Sequence, residues 1–403
     1  MKYLSVLVFI AAVLVLTYRP ATAEETAPAP TRWWKGNLHT HSLWSDGQHY
    51  PEWIMDWYKS RGYHFLALSD HNIMADHEYW IDVEKSTGRR AAYDEYLKRF
   101  GPDWVESRMR NGRLEVRLKT LGEFAPLFTE PNRFLVIQSE EITDFVAGKP
   151  VHLNATNLQQ LIPPQGGATV RESMQRNIDA VLAQRRRTGR PMFPHLNHPN
   201  YGWAVSPDDL AAVTGERFFE VYNGHPAVQN EGDDTHPSTE RMWDMVLSNR
   251  LRRGAEIMYG LAVDDAHIYR QMNSRLSNPG RGWIMVRAAT LSPSALINAM
   301  EAGNFYSTTG VVLEDIRFEN GRLVIKIRAE SDIKYTTRFI GTRRNSSSTG
   351  QALAEISGPQ VEYVLNGDEL YVRASVISTK PKQNPYREGE FEVAWTQPVV
   401  PGP

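Results

Sequence analysis

The sequence predicts an α/β protein followed by a small antiparallel β domain, and three observations predict it. Short apolar runs alternate with amphipathic helical segments from Trp33 to about Gly310, the pattern of strands brought side by side with helices packed on them. Beyond that point the apolar period shortens to two, with Asn-Gly turns and a Ser-rich loop between runs. Across the 403 residues, hydrophobic residues make up 41% and charged residues 23%, with 45 Lys and Arg against 47 Asp and Glu. That balance excludes intrinsic disorder and collagen-like or coiled-coil architecture, and the length suffices for a large domain plus a smaller one.

At the N-terminus, Met1-Lys2-Tyr3 precedes an apolar run from Leu4 to Leu16, then Ala21-Thr22-Ala23 and Glu24-Glu25. This is the order of a secretory signal peptide with an A-x-A cleavage site, so residues 1–23 are expected to be removed and the protein to be periplasmic or secreted. The run is shorter than the ~20 residues that span a bilayer, so no membrane anchor is expected after cleavage. Residues 24–32 read as a flexible N-terminus. Losing Lys2 and Arg19 leaves 43 basic against 47 acidic residues, a net charge of −4, which argues against a nucleic-acid-binding surface. There is no cysteine, so disulfide scaffolds, Cys-rich zinc sites and thiol nucleophiles are excluded, and any metal must be held by Asp, Glu or the 12 histidines.

Strands are expected to end at Asn37-Leu38-His39 and to cover Phe65 to Ser69, Phe134 to Gln138, Val151 to Asn154, Met192 to Leu196, Phe218 to Tyr222, Met258 to Val263 and Trp283 to Arg287. Pro51 opens a helix with Trp53, Ile54, Trp57 and Tyr58 on one face; Val170, Met174, Ile178 and Leu182 repeat every four residues in another; Ser292-Pro293 caps a third that stops at Gly303. Arg185, Arg186 and Arg187 fall at the C-terminal end of the second, where positive charge suits the helix dipole. Residues 75–133 turn charged and aromatic without a clear strand and are expected to be a largely helical insertion governing access to one end of the domain. Residues 311–403 are expected to form a β-sandwich-like domain from runs at Leu313 to Phe318, Leu323 to Arg328, Thr337 to Gly341, Val361 to Leu365, Leu370 to Val376 and Phe391 to Trp395.

Nearly every strand of the larger domain ends in a histidine or an acid. His39 and His41 are two apart, which on an extended strand puts both imidazoles on one face. Asp46 follows in Ser45-Asp46-Gly47, His71 in Ser69-Asp70-His71, then Glu140-Glu141, His152, His195 and His198, Glu220, and Asp264-Asp265 with His267. If the strands are parallel, ligands at their C-terminal ends converge on one mouth. His225, in Asn223-Gly224-His225-Pro226, reads as a turn residue near that mouth. Arg270, Arg275 and Arg281 follow the last of these residues in a loop and are candidates for holding an anionic substrate.

The ordered series His39-Thr40-His41, Ser45-Asp46-Gly47, Ser69-Asp70-His71, Glu141, His152, Asn197-His198-Pro199 and Asp265-Ala266-His267 resembles the polymerase and histidinol phosphatase (PHP) metallohydrolases, over about Trp33 to Gly310. The C-terminal β domain and the signal peptide resemble an exported branch of that family. The resemblance implies a distorted (β/α)7 barrel over 33–310 carrying two or three divalent ions. It implies that His39, His41, Glu141 and Asp265 hold a first ion, that Glu141 bridges to a second held by His152 and His198, and that Asp46, His71 and His267 hold a third. Asp265, His267 and Glu141 are then also the candidate catalytic residues. Glu140, Asp264 and His195 are rivals to Glu141, Asp265 and His198, and only the motif frame separates each pair. His-rich ligation with carboxylates suits manganese, zinc or iron.

Three such ions carry six positive charges and three ligand carboxylates remove half, leaving about three to attract a small anionic or phosphorylated substrate. Coordination also lowers the pKa of water enough to supply hydroxide near neutral pH. A phosphoesterase acting on a phosphomonoester or phosphodiester is therefore the expected function. The alternatives are an amide or carbamate hydrolase on the same metals and a non-catalytic, metal-stabilised ligand-binding protein.

Overall fold

The computed structural model describes residues 30–401; the expected signal peptide, 1–23, and most of the N-terminal stretch expected to be flexible, 24–32, lie outside the described residues. Among the described residues no helix is long and apolar enough to cross a membrane. The strands are β1 (Arg32–Asn37), β2 (Phe65–Leu68), β3 (Tyr79–Asp82), β4 (Ser107–Arg110), β5 (Arg113–Leu118), β6 (Leu135–Val146), β7 (Lys149–Thr156), β8 (Phe193–Leu196), β9 (Phe218–Asn223), β10 (Tyr259–Val263), β11 (Trp283–Ala288) and β12 (Phe305–Thr308). They continue with β13 (Leu313–Glu319), β14 (Arg322–Ile327), β15 (Tyr335–Arg343), β16 (Gln351–Ser357), β17 (Gln360–Val364), β18 (Glu369–Pro381) and β19 (Phe391–Thr396). The helices are α1 (Pro51–Ser60), α2 (Thr87–Phe100), α3 (Leu121–Phe128), α4 (Val170–Thr188), α5 (Pro207–Ala212), α6 (Thr239–Arg252) and α7 (Pro293–Glu301).

Local chemistry sets the helix ends. Pro51 occupies the first turn of α1, the Ser292 side chain accepts from the Ala295 N–H to cap α7, and α4 stops at Gly189 in the left-handed conformation. One mixed sheet runs in the order β10-β9-β8-β7-β6-β2-β1-β11-β12-β19-β18-β15-β16, so strands from the C-terminal quarter extend the sheet that carries the histidines. β1, β2 and β6 pair in parallel, as do β8, β9 and β10. Trp34, Phe65, Ile137, Phe193, Phe218, Leu261 and Ile284, from seven strands, share one buried cluster with Leu296 and Met300 of α7, so this part of the sheet curls around a common core. Side chains satisfy the outer edge of β10: the Gln397 amide accepts from Gly260 N–H and donates to Gly260 C=O, and Ser307 Oγ accepts from Ala262 N–H.

Three features depart from the sequence-based expectations. First, β7 is antiparallel to both β6 and β8, because only Ala147 and Gly148, both at positive φ, separate β6 from β7. A two-residue link of that geometry closes a hairpin and cannot make the crossover that a parallel pair needs. Second, the insertion is mixed, not largely helical: β3, β5 and β4 form a small antiparallel sheet beside α2 and α3. Third, β12 and β16 are strands in segments where the apolar pattern predicts none. Arg373 of β18 meets Asp244 of α6 through two hydrogen bonds of 2.8 Å, a buried pair joining the C-terminal strands to a helix of the larger unit.

Candidate metal centre

Glu141 lies in the middle of β6 with its carboxylate ringed by imidazoles. One oxygen is 3.3 Å from His39 Nε2, 3.3 Å from His41 Nε2 and 3.0 Å from His71 Nδ1; the other is 2.9 Å from His152 Nδ1 and 3.4 Å from His198 Nε2. Asn197 Nδ2 donates to that second oxygen at 2.8 Å. The residues come from different places in the fold. His39 and His41 follow β1, His71 follows β2 and is bridged to Glu141 as a parallel neighbour, and His152 stands on the antiparallel strand opposite Thr143.

Asp265 and His267 follow β10. Asp265 Oδ1 lies 3.2 Å from His39 Nε2 and 3.1 Å from His41 Nε2, and Asn223 Nδ2 donates to Oδ2 at 3.1 Å. Its φ of 50 is left-handed, a conformation Asp tolerates better than most residues and one that recurs at functional sites. Asp46 closes the outer side, half exposed, 3.3 Å from His267 Nε2 and 3.6 Å from His71 Nε2. Its loop is held by Asp70, which accepts from the backbone N–H and hydroxyl groups of both Ser42 and Ser45. Gly47 is required there, since a Cβ would come within 2.5 Å of the His41 backbone.

All nine sequence-predicted ligand candidates are thus gathered, and five overlapping groups of three or four His, Asp and Glu residues bring their ligand atoms within 4.8 Å of one another. These donors fit divalent cations. His41 is fully buried and neither ring nitrogen has an aligned hydrogen-bond partner; His152 Nε2 is likewise unpaired. A buried nitrogen without a partner is costly unless something absent from the protein chain occupies its lone pair. Burial, reinforced by neighbouring imidazoles, pushes His41 down to about 3, so it stands neutral. Burial opposes ionisation of Glu141 and Asp265, yet the surrounding histidines hold both carboxyls well below the usual range. His39 and His267 respond oppositely: burial disfavours their charge, but Asp265, Glu220 and Glu141 hold His39 well above its ordinary value, and Asp46 and Asp265 lift His267 to about 9. Cations entering here would displace those protons.

The structure separates two of the three rival pairs spatially. Glu140 points to the other face of β6, where Oε1 accepts from Ile162 N–H at 2.9 Å, Oε2 has no partner, and burial pushes the carboxyl up to about 8. Asp264 accepts from the Tyr58 hydroxyl and from the N–H groups of Gly280, Arg281 and Gly282. His195 is buried beside Glu220, and with His39 these two make one of the five groups above, so His195 stays next to the cluster. Glu220, noted in the sequence only as a strand-end acid, is the principal residue that motif reasoning left without a role. Its Oε1 is 2.6 Å from His39 Nδ1, its Oε2 accepts from His198 N–H and Asn223 Nδ2, and its carboxyl is held down to about 2 despite burial. This fixes the His39 ring with Nε2 facing Glu141 and Asp265.

Above these residues is a cavity of about 300 Å³, lined also by Tyr201, Gln48, Ile268 and His225. His225 is therefore at the mouth. Arg270 and Arg275 are not brought to it: Arg270 Nε donates to Glu95 at 2.8 Å, and Arg275 is exposed on the loop. Arg281 is buried and donates to four backbone carbonyls. Among the described residues no Lys or Arg lines this cavity.

No family model matches the chain, and no curated protein matches it. Among solved structures it is similar to a two-domain protein of Bacteroides vulgatus ATCC 8482 containing a predicted PHP-like metal-dependent phosphoesterase, at 14% identity and a TM-score of 0.39, over 92% of this chain and 96% of that one. It is also similar to a protein of Bifidobacterium adolescentis ATCC 15703, provisionally called a metal-dependent phosphoesterase, at 12% identity and a TM-score of 0.27, over 58% of this chain and 87% of that one. Both likenesses are distant, and the functional reading rests on the residues themselves.

Proposed function

We propose that this chain is an exported metal-dependent hydrolase whose substrate is a phosphomonoester or phosphodiester, built on the distorted (β/α)7 barrel of the PHP-type enzymes it resembles, with residues 311–403 as an appended β-sandwich-like domain. The observation that carries the reading is one carboxylate, Glu141, within 3.4 Å of five imidazoles while neither ring nitrogen of the buried His41 has an aligned hydrogen-bond partner. His39, His41, Glu141 and Asp265 would hold one divalent ion, Glu141, His152 and His198 a second, and Asp46, His71 and His267 a third. Manganese, zinc or iron bound there supplies Lewis acidity, lowering the pKa of coordinated water and offsetting charge that develops on the phosphoryl group.

The chain's own groups do the positioning. Glu220 and Asn223 orient His39 and Asp265, Asp70 fixes the loop that carries Asp46, and Tyr201 packs on His198 at the mouth with ring centroids 5.2 Å apart. Since no Lys or Arg lines the cavity among the described residues, a substrate anion there depends on the metal charge. Glu220 adds a buried carboxylate to the three among the ligands, so the positive surplus is one charge smaller than those three alone would leave.

The same lack of a cationic side chain favours, as a second reading, an amide or carbamate hydrolase, whose neutral carbonyl needs no clamp. Assays of the metal-loaded protein with nitrophenyl phosphate, bis-nitrophenyl phosphate and aryl carbamates separate the two. Chelation is expected to abolish turnover and manganese, zinc or iron to restore it; full turnover after thorough removal of metal would contradict both readings.

A further inference from the structure

A second polar pocket lies on the opposite side of the segment that follows β10. Ile268 and Ser277 of that segment face the metal centre, whereas Met272, Asn273 and Gly280 line a separate cavity of about 760 Å³. Lys35 of β1 lines this second cavity. Its ammonium sits between two aromatic faces, 3.9 Å from the Tyr63 ring centroid and 4.0 Å from that of Trp283. Among the described residues no carboxylate lies within ion-pair distance of Lys35 Nζ and no acceptor within hydrogen-bond distance, whereas Lys380 is paired with Glu330. Cation–π contact accounts for part of the attraction that holds the ammonium there, but it leaves the three N–H donors unspent.

The rest of the lining adds apolar surface. Trp57, mostly buried with Arg61 over one part of its ring, Met272, half exposed, and Pro385 supply that surface. The other charges facing the cavity are Arg61, stacked over Trp57 at 4.1 Å, and the exposed Glu388; Asp264 is the nearest buried acid to act on Lys35, and it is engaged by Tyr58 and three backbone N–H groups. Partial removal from water makes a cation attract an anion more strongly than it would on the surface. The same desolvation pushes Lys35 down to about 8, which leaves it mostly charged at neutral pH.

We propose that this cavity binds a small organic anion, a carboxylate or phosphate joined to an apolar ring, with Lys35 taking the anionic end and Trp57, Met272 and Pro385 taking the ring. The proposal is independent of the reaction at the metal centre, because none of these residues belongs to it.

The test is calorimetric titration of the full chain with phenylacetate, phenyl phosphate and neutral benzyl alcohol, on the wild type, Lys35→Met and Lys35→Arg, each with metal content measured. Lys35→Met, which keeps the apolar stem, is expected to weaken phenylacetate binding by about tenfold or more, the effect of losing a charge-assisted hydrogen bond. Lys35→Arg should bind within about threefold of wild type, metal content should not change, and benzyl alcohol should not distinguish the variants. Because phenyl phosphate is also a phosphomonoester of the kind proposed for the metal centre, the preference between phenylacetate and phenyl phosphate is read only from the part of each affinity that Lys35→Met removes, and it identifies which anion the pocket fits. Should Lys35→Met fail to fold, the lysine side-chain NMR signals of the wild type give the answer, with Lys35 assigned through Lys35→Arg: its signal should shift on adding phenylacetate and its pKa should rise from about 8. An unmoved Lys35 signal at saturating phenylacetate, or equal phenylacetate affinity in wild type and Lys35→Met, would overturn the proposal.

Discussion

Glu140 and Glu141 are neighbours on β6, equally buried, and they lead opposite lives. Alternation along the strand sends Glu141 to the face that meets five histidines and Glu140 to the face it shares with Ile142, where a cluster including Met74, Leu158 and Ile162 packs. Burial pushes both carboxyls up. On one face imidazoles reverse that push and hold Glu141 ionised; on the other a single N–H cannot, and Glu140 rises to about 8. Burial thus does not decide whether an acid is a ligand. What decides is whether the opposite groups on its face can answer its charge.

The contrast between an ion-lined face and a packed one yields several tests. The largest effect should come from Asp265→Asn, which weakens a carboxylate that meets both His39 and His41. It is expected to cost more in metal affinity than the ~10–100-fold typical of an outer partner, measured by titration of chelator-treated protein. Glu220→Gln should fall within that ~10–100-fold range, since Glu220 acts on the proposed ligands through His39, His198 and Asn223. Asp264→Asn breaks the comparison in the other direction. Asp264 is the neighbour of Asp265 yet serves Tyr58 and three backbone N–H groups, so its loss should cost stability of about 1–3 kcal/mol by thermal melting with metal content retained.

The smallest effect is a pH dependence on β9's approach. Glu216 is buried, accepts from Phe218 N–H with one oxygen and leaves the other unpaired, and burial raises its pKa well above the ordinary glutamate value. A group whose pKa is raised on folding contributes stability below its unfolded pKa and loses it as pH rises through the folded one. The wild type should therefore lose melting temperature relative to Glu216→Gln, which stays neutral, as pH rises above the ordinary glutamate value of about 4.3. Parallel melting curves for the two would show that Glu216 keeps its ordinary titration.

Much of this was legible in the sequence, for reasons that are local. His39 and His41 share a face because they are two apart, and the strands flanking them are short apolar runs with clear ends. Hairpins with charged strands were harder to read. β4 and β5 carry Arg108, Arg110, Arg113, Glu115 and Arg117, which hide the period of two, although Asn111-Gly112 between them is a strong turn signal. The Ala147-Gly148 link carried the same message for β6 and β7, whose residues were read as separate strands. Glu220 was visible as a strand-end acid, but its pairing with His39 spans 181 residues and emerges only once β9 is placed beside β8. Arg270 and Arg275 were placed near the mouth by sequence order alone, and loop geometry turns Arg270 toward Glu95 instead.

The central claim, that Glu141 is the carboxylate on which a metal centre is built, is tested most directly by metal analysis of wild type, Glu141→Gln and Glu140→Gln, each purified identically and shown to be folded. Glu141→Gln should lose bound manganese, zinc or iron at more than one position, because a bridging ligand is removed. Glu140→Gln, already close to a neutral side chain in its buried pocket, should keep the wild-type metal content. Full metal content in Glu141→Gln, or loss confined to Glu140→Gln, would contradict the account.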